Sequence, residues 1–290
     1  MQFCIGRIRF REKANDIFQT GTLVAMKLNN QMAGSSVDPL DQKTIPFTSH
    51  QIGSWQVAIS RRPRAPEELA SRYDAVCGSL GRTARRFHLE TAYRQPLLEC
   101  DAETILAHAG PEARVLDCGI GCGSLSIALN SILPDHVAFY GIDMSAAMLA
   151  TADVMMRQTG LLPQLKQADI HSIPYADQSF DFVMAAHVLE HLPEPQRALN
   201  EMIRVLKPGG MLFVCMTRRS VFGALIQLRW RTWAITERQG VAWLQDCQLA
   251  DIGFRPVNLG SYAGKASMAF WARRPTKERR KLQTERPTAY

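Results

Sequence analysis

No run of about 18 apolar residues occurs anywhere in the chain, so the sequence offers no transmembrane helix. It has no Cys-x-x-Cys pair and no His-Glu-x-x-His, and no metal is expected. The N-terminus has no apolar block followed by a small-residue cleavage site, which leaves a cytoplasmic location as the expectation. Cysteine is too sparse for a disulfide scaffold. The seven cysteines are odd in number and irregularly spaced, and they read as small apolar fillers of a reducing compartment. There is no internal repeat. What remains is ordinary for a globular chain of 290 residues: 46% hydrophobic and 21% charged, with length for about two domains or one large domain with extensions.

The net charge of +7 is unevenly placed. Residues 111–272 carry 13 basic and 14 acidic side chains, so the central region is neutral. Residues 273–290 carry 7 basic and 2 acidic ones. A nucleic-acid enzyme needs a broad basic face, and the neutral centre lacks one, so nucleic acid is not an expected partner. The basic tail, 275–290, reads as a solvated, disordered end.

Residues 1–60 show no sustained periodicity and read as a weakly ordered extension, with Met26 and Met32 as candidate starts. Residues 61–110 read as a helical cap on the substrate side. Within it, Leu69, Tyr73, Val76 and Leu80 recur at helical spacing over 66–80. A second helical region covers 82–109, with a break expected at Pro96. From residue 113 the pattern alternates. Short apolar strands end at Asp117, Asp143 and just before Asp169, and further strands cover 180–186 and 211–216. Helices cover 125–133, 145–158 and 194–206. This alternation predicts an α/β domain over 111–274, doubly wound, with a mostly parallel sheet and helices on both faces. Two final strands, near 254–259 and 266–273, follow a helix at 237–248. Residues 217–236 read as a lid-like insertion.

The chemistry concentrates at strand ends. Val115-Leu116-Asp117-Cys118-Gly119-Ile120-Gly121-Cys122-Gly123 runs a strand into three glycines and then a helix. Glycines let the chain turn sharply and let a ligand approach the backbone. Asp117 would gain little beside a pyrophosphate, whereas a cationic ligand would favour it. Asp143, at the end of the next strand, is placed to accept both ribose hydroxyls of an adenosine, or equally to serve as a helix-start acid. Asp169 is placed for the exocyclic amine of adenine, or for a local turn with Ser172. Beyond the fourth strand stand His187, Glu190 and His191. His187 is the candidate catalytic base, since imidazole titrates near neutrality. Glu190 and His191 read as loop-orienting groups.

Together these residues resemble the class I S-adenosylmethionine-dependent methyltransferases over about 66–273. The resemblance rests on the loop 117–123, on Asp143 and Asp169, and on Ser179–Val183 continuing through His187-Val188-Leu189-Glu190-His191-Leu192. It also rests on Leu206-Lys207-Pro208-Gly209-Gly210. The chain is most similar to the small-molecule branch that includes quinone- and sterol-biosynthesis enzymes. The resemblance implies a seven-stranded sheet with a C-terminal antiparallel hairpin. It implies S-adenosyl-L-methionine as cofactor, held by Asp117, Gly119, Gly121, Gly123, Asp143, Met144, Asp169 and Ile170. Base-amine methyltransferases of the family carry an Asn/Asp-Pro-Pro-aromatic motif where this chain reads Ala186-His187-Val188-Leu189, which again argues against a nucleic-acid substrate.

The expected function is methyl transfer to a small, apolar or aromatic acceptor by in-line displacement. A second reading is a non-catalytic S-adenosylmethionine-binding module or partner protein, and a third is an NAD-dependent dehydrogenase. Tyr73, Tyr93, Phe222, Trp230, Trp233 and Tyr262 are candidate pocket walls. The run Arg229-Trp230-Arg231-Thr232-Trp233 reads first as part of the lid and second as a surface for peripheral membrane contact.

Overall fold

The computed structural model describes residues 22–28, 45–52, 55–61, 68–75, 77, 89–133, 137–219, 232, 235–257 and 266–276. The chain divides into two units, Met1–Arg62 and Pro63–Tyr290.

In the first unit, strands β1 (Thr22–Leu28), β2 (Ile45–Ile52) and β3 (Trp55–Arg61) form an antiparallel sheet in the order β1-β3-β2. The expectation of a weakly ordered stretch named no strand there. β2 and β3 are joined across a short connection that pairs Ile52 with Trp55, a local hairpin whose alternation is short enough to escape a search for sustained periodicity.

The second unit begins with a helix over residues 68–75, α1. α2 (Leu89–Glu99) and α3 (Ala102–Ala109) follow. The break between them lies at Asp101, whose φ of 60° is left-handed, and not at Pro96, which the helix contains. Seven strands then form one sheet: β4 (Arg114–Cys118), β5 (Ala138–Asp143), β6 (Gln164–Gln167), β7 (Phe180–Ala186), β8 (Leu206–Thr217), β9 (Ala250–Val257) and β10 (Ser267–Arg273). Their order is β6-β5-β4-β7-β8-β10-β9. β4 to β8 pair in parallel, and β10 runs antiparallel to both β8 and β9. The doubly wound sheet and its antiparallel end are as expected. β8 starts at Leu206, earlier than the expected Met211, because Leu206 pairs with Phe180 before a bulge opens the register.

Helices α4 (Ser124–Asn130), α5 (Ala146–Arg157), α6 (Pro195–Val205) and α7 (Glu237–Asp246) cover the sheet. β7 is buried along nearly its whole length, as a central parallel strand must be. Phe182 and Met184 point to one core with α2, α4 and α5, while Val183 and Ala185 point to the other with α6. On α6 the buried residues are Ala198, Leu199, Met202 and Val205, one face at helical spacing. Two helix starts are capped by side chains. Ser145 accepts from the Met148 N–H at 3.0 Å at the start of α5, and Thr236 and Gln239 form a capping box on α7.

The sheet order reverses at β4, which has β5 on one side and β7 on the other. The carboxyl ends of these three strands therefore border a crevice, the usual binding place in an open α/β sheet.

Candidate active site

A cavity of about 380 Å³ occupies that crevice. Its wall includes Asp117 and the loop after β4, Asp143 and Met144 after β5, Ile170 after β6, His187 after β7 and Thr217 at the end of β8.

The glycine loop is held by its surroundings. Gly119 has φ +72°, and a Cβ there would stand 2.4 Å from Val188 Cγ2. Its N–H donates to the Ile142 carbonyl at 2.7 Å. Gly121 differs: a Cβ there would meet nothing within 4 Å, so the backbone lies open to the cavity. Gly123 does not line the cavity. It caps α4 with φ +81° and packs on Met156.

Asp117 is buried and accepts from Ser126 Oγ at 2.8 Å. Burial pushes its carboxyl up to about 7, against the pull of the Ser126 bond. Asp143 accepts from the Gly121 N–H and the Ser145 N–H, each at 2.9 Å, one at each oxygen. Burial raises this carboxyl too, and the backbone donors offset part of the rise. Each oxygen keeps a lone pair for a further donor.

Asp169 is placed differently from the other expected site residues. Its neighbours Ala168 and Ile170 line the cavity, but Asp169 does not. Its Oδ1 accepts from the His171 N–H and meets His171 Nδ1, both at 2.9 Å, and its carbonyl accepts from Ser172 N–H at 3.0 Å. This is the local turn that was the second reading of that residue.

His187 stands with φ +58°, a left-handed backbone that is uncommon for a residue with a side chain. Its N–H donates to the Cys215 carbonyl at 2.8 Å. Nδ1 lies 2.9 Å from Glu190 Oε1. Glu190 is fully buried and also accepts from the Thr217 N–H at 2.9 Å and Thr217 Oγ1 at 2.8 Å. Backbone strain of this kind costs about 1–3 kcal/mol and persists where surrounding bonds over-determine it. Burial works against a charged His187, but the Cys215 sulfur and Glu190 together raise its proton affinity well above the ordinary value.

Sequence reading did not assign Thr217 and Ser267 to the site. Thr217 reaches it from the end of β8, the parallel neighbour of β7, and Ser267 from the start of β10, which the antiparallel pairing sets opposite Thr217. Tyr93 and Tyr73, two of the candidate wall residues, do line the cavity. Tyr73, on α1, meets His191 Nε2 through its hydroxyl at 3.0 Å, and its neighbour Asp74 accepts from Ser145 Oγ. Of the lid-like segment, Thr232 is buried against the cavity, and Arg218 bridges Ile235. Phe222, Trp230, Trp233, Tyr262 and most of the basic tail lie outside the described residues.

Residues 116–214, the segment with this loop, these strand ends and the His187–Glu190 turn, match the family model described as a methyltransferase domain. The chain carries a methyltransferase domain. The domain is similar to the phosphatidylethanolamine N-methyltransferase of Cereibacter sphaeroides, at 40% identity over 103 residues, 35% of this chain and 49% of that protein. It is also similar to the ubiquinone/menaquinone biosynthesis C-methyltransferase UbiE of Bdellovibrio bacteriovorus, at 35% identity, 42% of this chain and 53% of that protein. The chain thus spans about half the length of these curated relatives. Among solved structures, the [4+2]-cyclase SpnF shares the fold with a TM-score of 0.57 at 20% identity, covering 74% of this chain and 97% of that one. The cofactor of such a methyltransferase domain is S-adenosyl-L-methionine, and the residues present fit it. Gly121 leaves an open backbone cradle, Asp117 offers a buried carboxylate to a cation, and Asp143 keeps acceptor capacity for two hydroxyls.

Proposed function

We propose that the chain transfers a methyl group from S-adenosyl-L-methionine to a small, apolar or aromatic acceptor by in-line displacement. The observation that carries this reading is one cavity bordered at once by the glycine loop, Asp117 and Asp143 on one side and by His187 on the other. The cofactor supplies a methyl group already activated by its sulfonium. The chain's residues have to hold, align and dry the reacting groups. Asp143 would hold the ribose hydroxyls, Asp117 the cationic amino-acid end, and Met144 and Ile170 the flanks of the adenosine. Ile120, Met148, Val188 and Leu192 supply apolar wall, which suits an apolar acceptor and exclusion of water.

A small acceptor also agrees with the printed functions of the relatives, one acting on a phospholipid amine and one in quinone biosynthesis. A membrane-borne acceptor would make peripheral contact with a lipid surface the natural role of the segment 229–233. No described helix is long and apolar enough to cross a membrane. The alternatives to methyl transfer keep one support: a [4+2]-cyclase shares the fold, and fold does not dictate reaction.

The test is calorimetry of the full chain with S-adenosylhomocysteine and with NADH, followed by transfer from methyl-labelled cofactor to quinol, phenol, amine and lipid-headgroup acceptors. Binding of S-adenosylhomocysteine with labelled product is the expected result. Binding without transfer to any acceptor favours the binding module, and binding of NADH alone favours a dehydrogenase.

A further inference from the structure

The contact between His187 and Glu190 settles where a proton sits. Glu190 Oε1 already accepts from the Thr217 N–H and from Thr217 Oγ1, so at 2.9 Å His187 Nδ1 is a third donor to that oxygen. Burial raises the Glu190 carboxyl, but His187 and His191 outweigh that and lower it from its ordinary value. In the neutral ring the lone pair is then on Nε2. Nε2 has only long contacts among the described residues, Ser267 Oγ at 3.4 Å and Cys215 Sγ at 3.8 Å. His187 and Ser267 both line the cavity.

The other side of Glu190 is closed. Its Oε2 is buried with no hydrogen-bond partner among the described residues. Among the described residues, the groups around the pair that carry or can carry charge are His191 on the same turn, Cys215 on β8, Tyr93 on α2 and Asp117 on β4. Asp117 is tied to Ser126 and Glu190 to His187 and Thr217. Glu190, its bonded oxygen taken by His187 and Thr217, is not presented to an ammonium group beside His187, and the protonated imidazole repels one. A hydroxyl that becomes anionic as its proton leaves is stabilised at the same place.

We propose that Glu190 is a positioning residue that makes His187 Nε2 the proton acceptor for a methyl acceptor bearing an ionisable hydroxyl, as in a phenol, a proposal that rests on the methyl-transfer reading above. The hydroxyl proton passes to Nε2. The hydroxyl oxygen bonds to the methyl carbon, and the carbon–sulfur bond breaks with its electron pair retained by sulfur. The products are the methyl ether, S-adenosylhomocysteine and a protonated His187, which returns its proton to water.

The test uses the full chain. Nitrogen-15 histidine NMR, with His187 assigned by the loss of its signals in His187→Asn, should show the Nδ1–H tautomer and a titration above the ordinary value of about 6.5. In Glu190→Gln the amide can donate to Nδ1, so the ring proton should move to Nε2 and the titration should fall to about 6.5 or below. With catechol as probe and aniline as comparison, labelled methyl should go to catechol, with a rate that rises as pH climbs through the His187 titration. Glu190→Gln should lower kcat on the order of 100-fold while S-adenosylhomocysteine affinity is kept. An Nε2–H tautomer in the wild type, preference for aniline, no transfer to either probe by a chain that binds S-adenosylhomocysteine, or unchanged kcat in Glu190→Gln would each overturn the proposal. If Glu190→Gln fails to fold, seen as lost S-adenosylhomocysteine binding, the wild-type tautomer decides. A wild type that does not bind S-adenosylhomocysteine overturns the underlying methyl-transfer reading instead.

Discussion

Asp143 accepts a hydrogen bond from the Gly121 N–H at 2.9 Å, so its side chain ties the end of β5 to the glycine loop after β4, beside the backbone bond from Gly119 to Ile142. Its other oxygen holds the Ser145 N–H at the start of α5. The carboxylate that would receive the ribose thus also shapes the loop that would receive the rest of the cofactor.

Asp143→Ala should therefore lose ligand contacts and loop geometry together. Affinity for S-adenosylhomocysteine should fall by about 1–3 kcal/mol, the cost of unpaired polar groups in a closed site. Titration calorimetry on Asp143→Ala beside Asp143→Asn, which keeps one carbonyl acceptor, separates the two roles. Equal affinity in the wild type and the alanine variant would remove Asp143 from the site.

Asp117 predicts a pH effect with a definite sign. Its folded value of about 7 lies above the ordinary aspartate value of about 3.9. The folded state holds that proton more tightly, so the contribution to stability is complete below about pH 4 and is lost as pH rises through about 7. Asp117→Asn should flatten that part of the stability curve in denaturant titrations. Binding of a cationic ligand needs the ionised form, so S-adenosylhomocysteine affinity should climb by at most about tenfold per pH unit below 7. A pH-independent affinity would show that Asp117 does not face the ligand's charge.

Gly119 and Gly121 should respond differently to alanine. At Gly119 a Cβ meets Val188 Cγ2 at 2.4 Å, so Gly119→Ala should lower stability by about 1–3 kcal/mol in chemical unfolding. At Gly121, with φ +53°, alanine bears left-handed backbone strain of about 1–2 kcal/mol but its Cβ meets nothing within 4 Å, so the loss of stability should be the smaller one while the methyl group at the cavity wall weakens cofactor binding. Equal loss of stability in both variants would contradict this division.

Tyr73→Phe should loosen α1. Its hydroxyl meets His191 Nε2 at 3.0 Å, and removing one such bond costs about 0.5–1.5 kcal/mol. Amide hydrogen exchange over residues 68–75 should quicken. Unchanged protection would mean that the Asp74–Ser145 bond suffices to hold this helix.

A chain of residues 60–274 should fold and bind S-adenosylhomocysteine like the full chain. The division at Arg62 leaves the seven-stranded sheet whole, and the described sheet closes with Arg274 N–H on the Gly210 carbonyl at 2.9 Å. Calorimetry and thermal unfolding check this, and loss of a cooperative transition would place part of the first 59 residues in the fold.

By itself the sequence determined the α/β alternation, the parallel sheet and the loop Asp117–Gly123, because these follow from local periodicity and from residue types that suit only a few backbone shapes. It also determined the start of α5 at Ser145, where a hydroxyl and the N–H group it satisfies are neighbours along the chain. Tertiary structure decided what lies between distant segments. The order β8-β10-β9 brings Ser267 and Thr217 beside His187, a meeting across 80 and 30 residues that no local pattern records. It turned Asp169 toward His171 and away from the cavity wall, since a carboxylate beside its own turn finds donors two residues on. It also put Glu190 at zero exposure under His187, so that a residue legible only as a loop acid became a buried charge with one ring nitrogen to orient. Burial and mutual distance create that role, and both exist only once the strands have paired.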